Sequence, residues 1–409
     1  MGKTIRHAGR WTMEDQFASP WHYLPVEVPP GVWGLRVELE YSRGAATLDL
    51  GCLGPAGFRG WSGGARRSFA ISARGATPGY LPGELEPGLW QVVVGLYRVA
   101  PDGAPYQVTV RVADGPGEWP GEPQPPPPPV PVERPAPREL PARPGYRWLA
   151  GDLHTHTVHS DGTQTVPELA RFAVERGLDY LAVTDHNTVS HHAELAAVSA
   201  RYGITLVPGQ EVTTDTGHAG VLGDVGWVDF REPADEWLAH TRRRGGLMSV
   251  NHPIGGHLAW MYPMRERPPL VEVWHWSWLD PHWTNTMSWW RAWTPAAIPV
   301  GGSDWHRPGS DAQPGTPTTW IESADTSPEA VLDGLRAGRV AISAGRDGPV
   351  LLRAGDEFVA VAADGTILAS PGGPGSPRAW VRGDLARFPA APGCHRLTDP
   401  TGGTLALVP

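Results

Sequence analysis

Cysteine is almost missing from this chain: Cys52 and Cys394 are the only two among 409 residues, and no CxxC pair occurs. That excludes a disulfide-stapled scaffold and a thiolate zinc cluster, and two isolated thiols fit a reducing compartment. No apolar run approaches membrane-spanning length, so no membrane partner is expected. The stretch Met1–Trp11 is short, polar and basic, without the apolar core and small-residue cleavage site of a secretory signal. A cytoplasmic location is the resulting expectation. The formal charge is −9 and no basic block interrupts it, which argues against a nucleic-acid polymer as partner. Nor is there a G-x-S-x-G elbow to supply a serine nucleophile.

What the chain does have is organised in blocks. From Trp33 to Val112 apolar residues alternate with polar ones, as in Leu35, Val37, Leu39 and Tyr41 against Arg36, Glu38 and Glu40. Gly-Pro turns punctuate these runs, so residues 1–115 are expected to form an antiparallel β-sandwich. Residues 116–145 hold thirteen prolines, five of them consecutive from Pro125 to Pro129, and read as a semi-rigid polyproline linker. From 146 to 345 the pattern becomes α/β. Strands are expected at Trp148–Leu153, Tyr180–Thr184, Ile204–Val207, Leu247–Val250, Val271–Trp274 and Ala297–Val300. Helices are expected from Thr165 to Gly177, from Pro233 to Gly245, and from a Ser327 N-cap to Gly338. Such alternation implies a parallel sheet or barrel with active groups at the strands' C-terminal ends. Residues 346–409 read as a short β-rich segment.

Thirteen of the sixteen histidines lie between Gly151 and His306. Nine candidate metal ligands follow one another there at strand exits: His154, His156, Asp161, His186, Glu211, His218, His252, Asp304 and His306. Residues two apart on an extended chain point the same way, so His154-x-His156 and Asp304-x-His306 can each converge on one ion. Alone, HxH is a common surface pattern and Asp161-Gly162 an ordinary turn. Asp185, beside His186, can be an orienter of an imidazole instead of a ligand. Jointly, imidazoles and carboxylates suit zinc, manganese or iron, and their number suits two or three divalent ions.

The ordered set HxH…D…DH…E…H…H…DxH resembles the PHP (polymerase and histidinol phosphatase) superfamily of metal-dependent phosphoesterases. The phrases GDLHTHTVHSDG, YLAVTDHN, PGQEVTT, NHP and GGSDWH look like its carbaryl-hydrolase branch. The resemblance covers about half the chain and implies a distorted (β/α)7 barrel with metals at the strand ends. By that resemblance His154, His156, Glu211 and Asp304 hold a first ion. Glu211 bridges to a second completed by His218 and His252, and Asp161, His186 and His306 hold a third. Catalysis then centres on His154, His156, Glu211, Asp304 and His306.

The chemistry expected is attack of a metal-bridged hydroxide on phosphorus, with departure of an alcohol or phenol. His257, His275 and His282 are candidates for the leaving-group acid. Phosphate binding usually adds arginine, for which Arg265, Arg267, Arg291 and Arg307 stand in the right part of the sequence. Eleven of the twenty tryptophans fall between Trp227 and Trp305, and Trp274, Trp276 and Trp305 are nominated to line an aromatic pocket. Trp278 alternates with the first two. The substrate expected is therefore a small aryl, alkyl or sugar phosphoester, a diester before a monoester. Two alternatives remain: a carbamate or carboxylic ester hydrolase, and a carbohydrate-binding protein with an inactive barrel.

Overall fold

A computed structural model describes residues 3–115, 132–276, 285–370 and 378–409. Its contacts divide the chain into two compact units. The first comprises Met1–Pro128 with two short segments, Val158–Gly162 and Asp185–Ala193; the second holds the rest.

In the first unit the period-two pattern becomes two antiparallel four-stranded sheets. In one, Gly34–Tyr41 pairs with Ala104–Ala113 on one side and Ser68–Ser72 on the other, and Lys3–Trp11 closes the far edge. The other runs Trp21–Val28, Gly88–Val99, Ala46–Gly54, Gly57–Gly63. Leu35, Val37, Val92, Val94, Val108 and Val110 point inward and share one core around Trp90. Alternation puts every second side chain on the same face, which is why Arg36 and Glu38 stay at the surface. The expected sandwich is therefore present.

The second unit is built on a sheet of thirteen strands. Arg147–Asp152, Tyr180–Val183 and Thr205–Thr214 run parallel, as do Leu247–Asn251, Leu270–His275 and Ile298–Gly302. Gly217–Leu222 joins the two groups antiparallel to both neighbours. It arises because Thr205–Thr214 runs far beyond the expected strand and folds back at Asp215-Thr216 as a hairpin. On the other flank Thr318–Ser323 and Val340–Ser343 continue the sheet antiparallel. The three helices expected from end signals appear as Val166–Glu175, Ala234–Arg243 and Pro328–Arg336, the first with a complete Thr165–Glu168 capping box. His192–Tyr202 and Asn285–Trp293 are helices that the end signals did not reveal.

A closed (β/α)7 ring is not drawn by backbone ladders. The Ile298–Gly302 strand forms one end of the sheet order and reaches Thr318–Ser323 through the Thr319 hydroxyl. That hydroxyl accepts the Gly301 N–H at 2.9 Å and donates to the Gly301 carbonyl at 2.8 Å. Pro299 and Pro317 offer no N–H there, so a side chain does what a ladder cannot.

Two further expectations change in detail. The C-terminal segment is β-rich but continues the main sheet, since Thr404–Val408 pairs with Val340–Ser343. Of the proline-rich stretch, residues 132–144 carry no regular structure yet are fastened down. Arg134 donates to the Leu178 and Gly203 carbonyls, and Arg138 to those of Arg346 and Gly348. Residues 116–131 lie outside the described residues.

Leu169 is wholly buried on the inner face of the Val166–Glu175 helix, against Trp148, Leu181 and Trp320 in the same core. Leu169→Ala should destabilise this unit by about 2–5 kcal/mol, read as a lowered urea midpoint.

Candidate metal centre

The candidate ligands sit where strands end. His154 and His156 follow Arg147–Asp152, Glu211 and His218 face each other across the hairpin, and His252 follows Leu247–Asn251. Glu272 and His275 belong to Leu270–His275, while Asp304 and His306 follow Ile298–Gly302. One buried carboxylate, Asp152, fixes the frame by accepting three backbone N–H groups: His154 at 3.1 Å, Ser303 at 3.1 Å and Gly315 at 2.8 Å. Burial pushes its pKa up while these bonds pull it down. Two candidate ligands turn sharply off their strands, His252 at φ 25° and Asp304 at φ 51°, conformations costing on the order of 1–3 kcal/mol each for L residues. Gly302 is also required here. A Cβ on it would lie 2.3 Å from Glu272 Oε1 and 2.5 Å from the His154 Cβ.

The distances define the centre. His154 Nε2 is 3.0 Å from Glu211 Oε1 and 3.1 Å from Asp304 Oδ1. His156 Nε2 lies 2.9 Å from that same Asp304 oxygen. Around Glu211 Oε1 stand His218 Nδ1 at 3.4 Å and His252 Nε2 at 3.3 Å, with Asn251 Nδ2 donating at 3.0 Å. The ligand atoms of His154, His156, Glu211 and Asp304 all lie within 4.8 Å of one another.

The tautomer of His154 tests whether this set suits a cation. Its Nδ1 lies 3.1 Å from Glu272 Oε1. Burial works against ionising Glu272, but the charges of His154 and His275 hold its carboxyl below the usual range, so it accepts and Nδ1 carries the proton. In the neutral ring Nε2 is then a lone pair aimed at two carboxylate oxygens, and it makes no well-aligned hydrogen bond among the described residues. Without a cation the ring can only be protonated. Burial opposes this, yet Glu211, Asp304 and Glu272 together raise the His154 pKa well above the histidine range. His252 is likewise raised, against burial, by Glu211 and Glu272. Asp304 is held well below the carboxylate range by His154, His156 and His275, again against burial. A carboxylate–histidine pair behind a lone pair facing carboxylates is the arrangement that orients imidazole ligands on zinc and related ions.

Residues 152–261 match the PHP domain. The match takes in the candidate ligands from His154 to His252 and stops before Asp304 and His306, which follow the later strand Ile298–Gly302. A 3',5'-nucleoside bisphosphate phosphatase of Chromobacterium violaceum is 40% identical over 84 residues, which is 20% of this chain and 29% of that protein. A phosphoribosyl 1,2-cyclic phosphate 1,2-diphosphodiesterase of Eggerthella lenta is 36% identical over 62 residues, 15% of this chain and 24% of the relative. The chain thus spans less than a third of either. Among solved structures, a two-domain protein of Bacteroides vulgatus containing a predicted PHP-like metal-dependent phosphoesterase aligns with a TM-score of 0.41 and 16% identity. It covers 66% of this chain and 98% of its own.

Within and beyond the PHP match, the remaining nominated residues are placed as follows. Asp161 and His186 belong to the first unit, where Asp161 Oδ1 and His186 Nε2 are 3.5 Å apart. Asp185 accepts from Ser160 N–H at 3.0 Å and Ser160 Oγ at 2.7 Å and lies 3.3 Å from His191 Nδ1. His306 Nδ1 donates to the Asp304 carbonyl at 2.7 Å, which leaves its Nε2 as the ligand-ready nitrogen. His275, nominated as a leaving-group acid, is buried with Nε2 3.2 Å from Asp304 Oδ2. It therefore braces Asp304 or adds a ligand, since His154, His252, Glu272 and His275 form a second group within 4.8 Å. Glu272 was missed altogether. Its only sequence signal is an acid inside the apolar strand Leu270–His275, whose residues are otherwise apolar until His275. The His257 side chain, His282 and Trp278 lie outside the described residues.

The substrate nominations fare less well. Trp305 is fully buried in the core with its indole N–H given to Gln164 at 2.8 Å, so it cannot line a pocket. Arg265 and Arg267 precede Leu270–His275, at the end of that strand opposite to His275. Arg267 donates to the Met264 and Trp293 carbonyls and stacks on Trp293, while the Arg265 backbone N–H goes to Asp235. Arg291 lies close enough to Cys394 to influence its thiol, whose pKa burial pushes up to about 12. Arg307 is exposed directly after His306. Trp274 is half-buried, and Trp276 is partly buried with its ring 5.8 Å from that of His275. Many tryptophans simply pack: Trp237, Trp260, Trp293 and Trp289 form a chain of ring contacts with Tyr262.

Glu272→Gln keeps the shape and removes the charge behind His154. Metal affinity should fall by about 10–100-fold, measured by competition with a chromogenic chelator. Because His154 and His252 have raised pKa values in the metal-free protein, they must lose protons on loading. Affinity should therefore rise with pH, and metal addition in weak buffer should release protons.

Proposed function

We propose that this chain is a metal-dependent phosphoesterase that hydrolyses small phosphodiesters in preference to monoesters. The observation that carries the reading is the buried His154 lone pair between Glu211 and Asp304, with Nδ1 committed to Glu272. His154, His156, Glu211 and Asp304 would hold one ion, and Glu211 with His218 and His252 a second. Asp161 and His186 offer a further acid–imidazole pair, to which the family resemblance adds His306. Zinc, manganese or iron bound there would lower the pKa of a coordinated water and neutralise charge on the phosphoryl oxygens.

The chain's own residues supply orientation. Glu272 and the Asp304 carbonyl fix the tautomers of His154 and His306, so that the ligating nitrogens are not protonated at neutral pH once a cation is present. Asn251 and the Thr213 hydroxyl donate to the two Glu211 oxygens and hold that carboxylate in place. The preference for a diester rests on charge. The Arg267 guanidinium is committed to the Met264 and Trp293 carbonyls, and Arg265 precedes Leu270–His275 at the end opposite to His275, so the dianionic group of a monoester would find less guanidinium support than it normally needs. Trp274 and Trp276 beside His275 suit an aryl or alkyl ester group.

The test is metal analysis of the purified protein followed by assays on bis-(p-nitrophenyl) phosphate, p-nitrophenyl phosphate and a naphthyl carbamate. Hydrolysis of the diester should be fastest, disappear on chelation and return with zinc, manganese or iron. Preference for the carbamate would replace this reading with carbamate hydrolysis, and binding of polysaccharide without any hydrolysis would end it. His156→Ala should lose more activity than the ~10–100-fold expected for an outer partner, with an unchanged far-UV circular dichroism spectrum.

A further inference from the structure

Among the described residues the sandwich carries no ligand cluster of its own, yet the first unit includes two segments that lie within the PHP match, Val158–Gly162 and Asp185–Ala193. These are the loops that bear Asp161 and His186. We infer that the sandwich is a positioning element for those two side chains, with Arg66 and Gly79 as its contact residues.

Arg66 lies in the turn between Gly57–Gly63 and Ser68–Ser72. Its Nη1 donates to the Ser160 carbonyl at 2.9 Å and its Nη2 to the Val158 carbonyl, so one planar fork grips the loop just before Asp161. Ser160 in turn gives its N–H and its hydroxyl to Asp185, the residue before His186. Clamping Ser160 thus fixes the chain one residue before each member of the Asp161–His186 pair. A second tie comes from Gly79. Its N–H donates to Ser190 Oγ at 3.0 Å, and its carbonyl accepts from Thr188 Oγ1 at 2.9 Å. Ser190 Oγ is also 2.7 Å from His159 Nδ1, which joins the two loops again.

The Gly79 contact is close. At φ 99° a Cβ would stand 2.8 Å from the His159 carbonyl oxygen and 2.7 Å from that of Trp61, so any side chain would push the loop away. The half-buried Arg66 guanidinium also supplies positive charge beside Asp161 and Asp185. A sandwich with no part in holding these loops would need neither a glycine at this contact nor a half-buried bidentate arginine. The role assigned to Asp161 and His186 rests on the proposed function; the clamp itself does not.

The test uses the full chain and the variants Arg66→Ala, Arg66→Lys and Gly79→Ala, with Arg111→Ala, a surface partner of Glu38, as control. Hydrogen–deuterium exchange is followed in peptides covering 156–164 and 184–193, and bound manganese or zinc is counted after gel filtration. The inference expects faster exchange in both peptides for Arg66→Ala and Gly79→Ala. It also expects about 10–100-fold weaker retention of part of the bound metal, with an unfolding midpoint close to the parent's for Arg66→Ala and a lowered one for Gly79→Ala, whose Cβ also meets the Trp61 carbonyl. Arg66→Lys, a single point donor, should fall between, and Arg111→Ala should match the parent. Parent-like exchange and metal retention in both Arg66→Ala and Gly79→Ala would overturn it. If the parent chain itself binds no metal, the functional reading falls, and exchange alone decides the clamp: unchanged exchange sinks it, accelerated exchange sustains it.

Discussion

Four acids meet at one end of the central sheet, and the way each is neutralised shapes everything around it. Asp152 spends its charge on three backbone N–H groups and so ties the His154 turn to the Ser303 and Gly315 loops. Glu272 spends its charge on the His154 imidazole and the His252 N–H. Glu211 and Asp304 are different, because imidazole nitrogens crowd the oxygens they share. An uncompensated buried carboxylate costs several kcal/mol. Two of these acids are thus structural and self-sufficient, and two are complete only with positive charge between them.

That division also explains the strained backbone. His252 and Asp304 both adopt positive φ directly after a strand. A straight continuation would carry their side chains along the sheet, away from Glu211. The Glu272 carboxylate accepts the His252 N–H at 2.8 Å, and Asp152 accepts the Ser303 N–H beside Asp304, so each bend is held by a buried acid. The strain is retained because these bonds offset it, a pattern common where side chains must be aimed at chemistry.

The nine candidate ligands stood out because each follows a short apolar run, and strand-end histidines and acids in a fixed order are local signals. The six parallel strands and three of the helices, two of them capped by Thr165 and Ser327, were legible for the same reason: period, cap and breaker all act within a few residues. What escaped was non-local. Glu272 sits in the middle of an apolar strand, and only pairing across the sheet reveals His154 on its far side. Gly217–Leu222 was hidden because Gly217-His218-Ala219-Gly220 has little strand propensity; its pairing with both neighbours decides its form. Trp305 was misread because an aromatic next to two ligands looks like a pocket wall, whereas its partner, Gln164, lies 141 residues away.

Arginine carries a second, non-local role. A guanidinium near a metal motif suggests anion binding, but five donors in a rigid fork serve carbonyl oxygens equally well. Here Arg267 takes Met264 and Trp293, Arg138 takes Arg346 and Gly348, and Arg66 takes Val158 and Ser160. In a chain with 45 prolines and 51 glycines, many segments carry no ladder, and their carbonyls must find donors elsewhere. The arginines fill that role, fastening irregular chain to regular sheet.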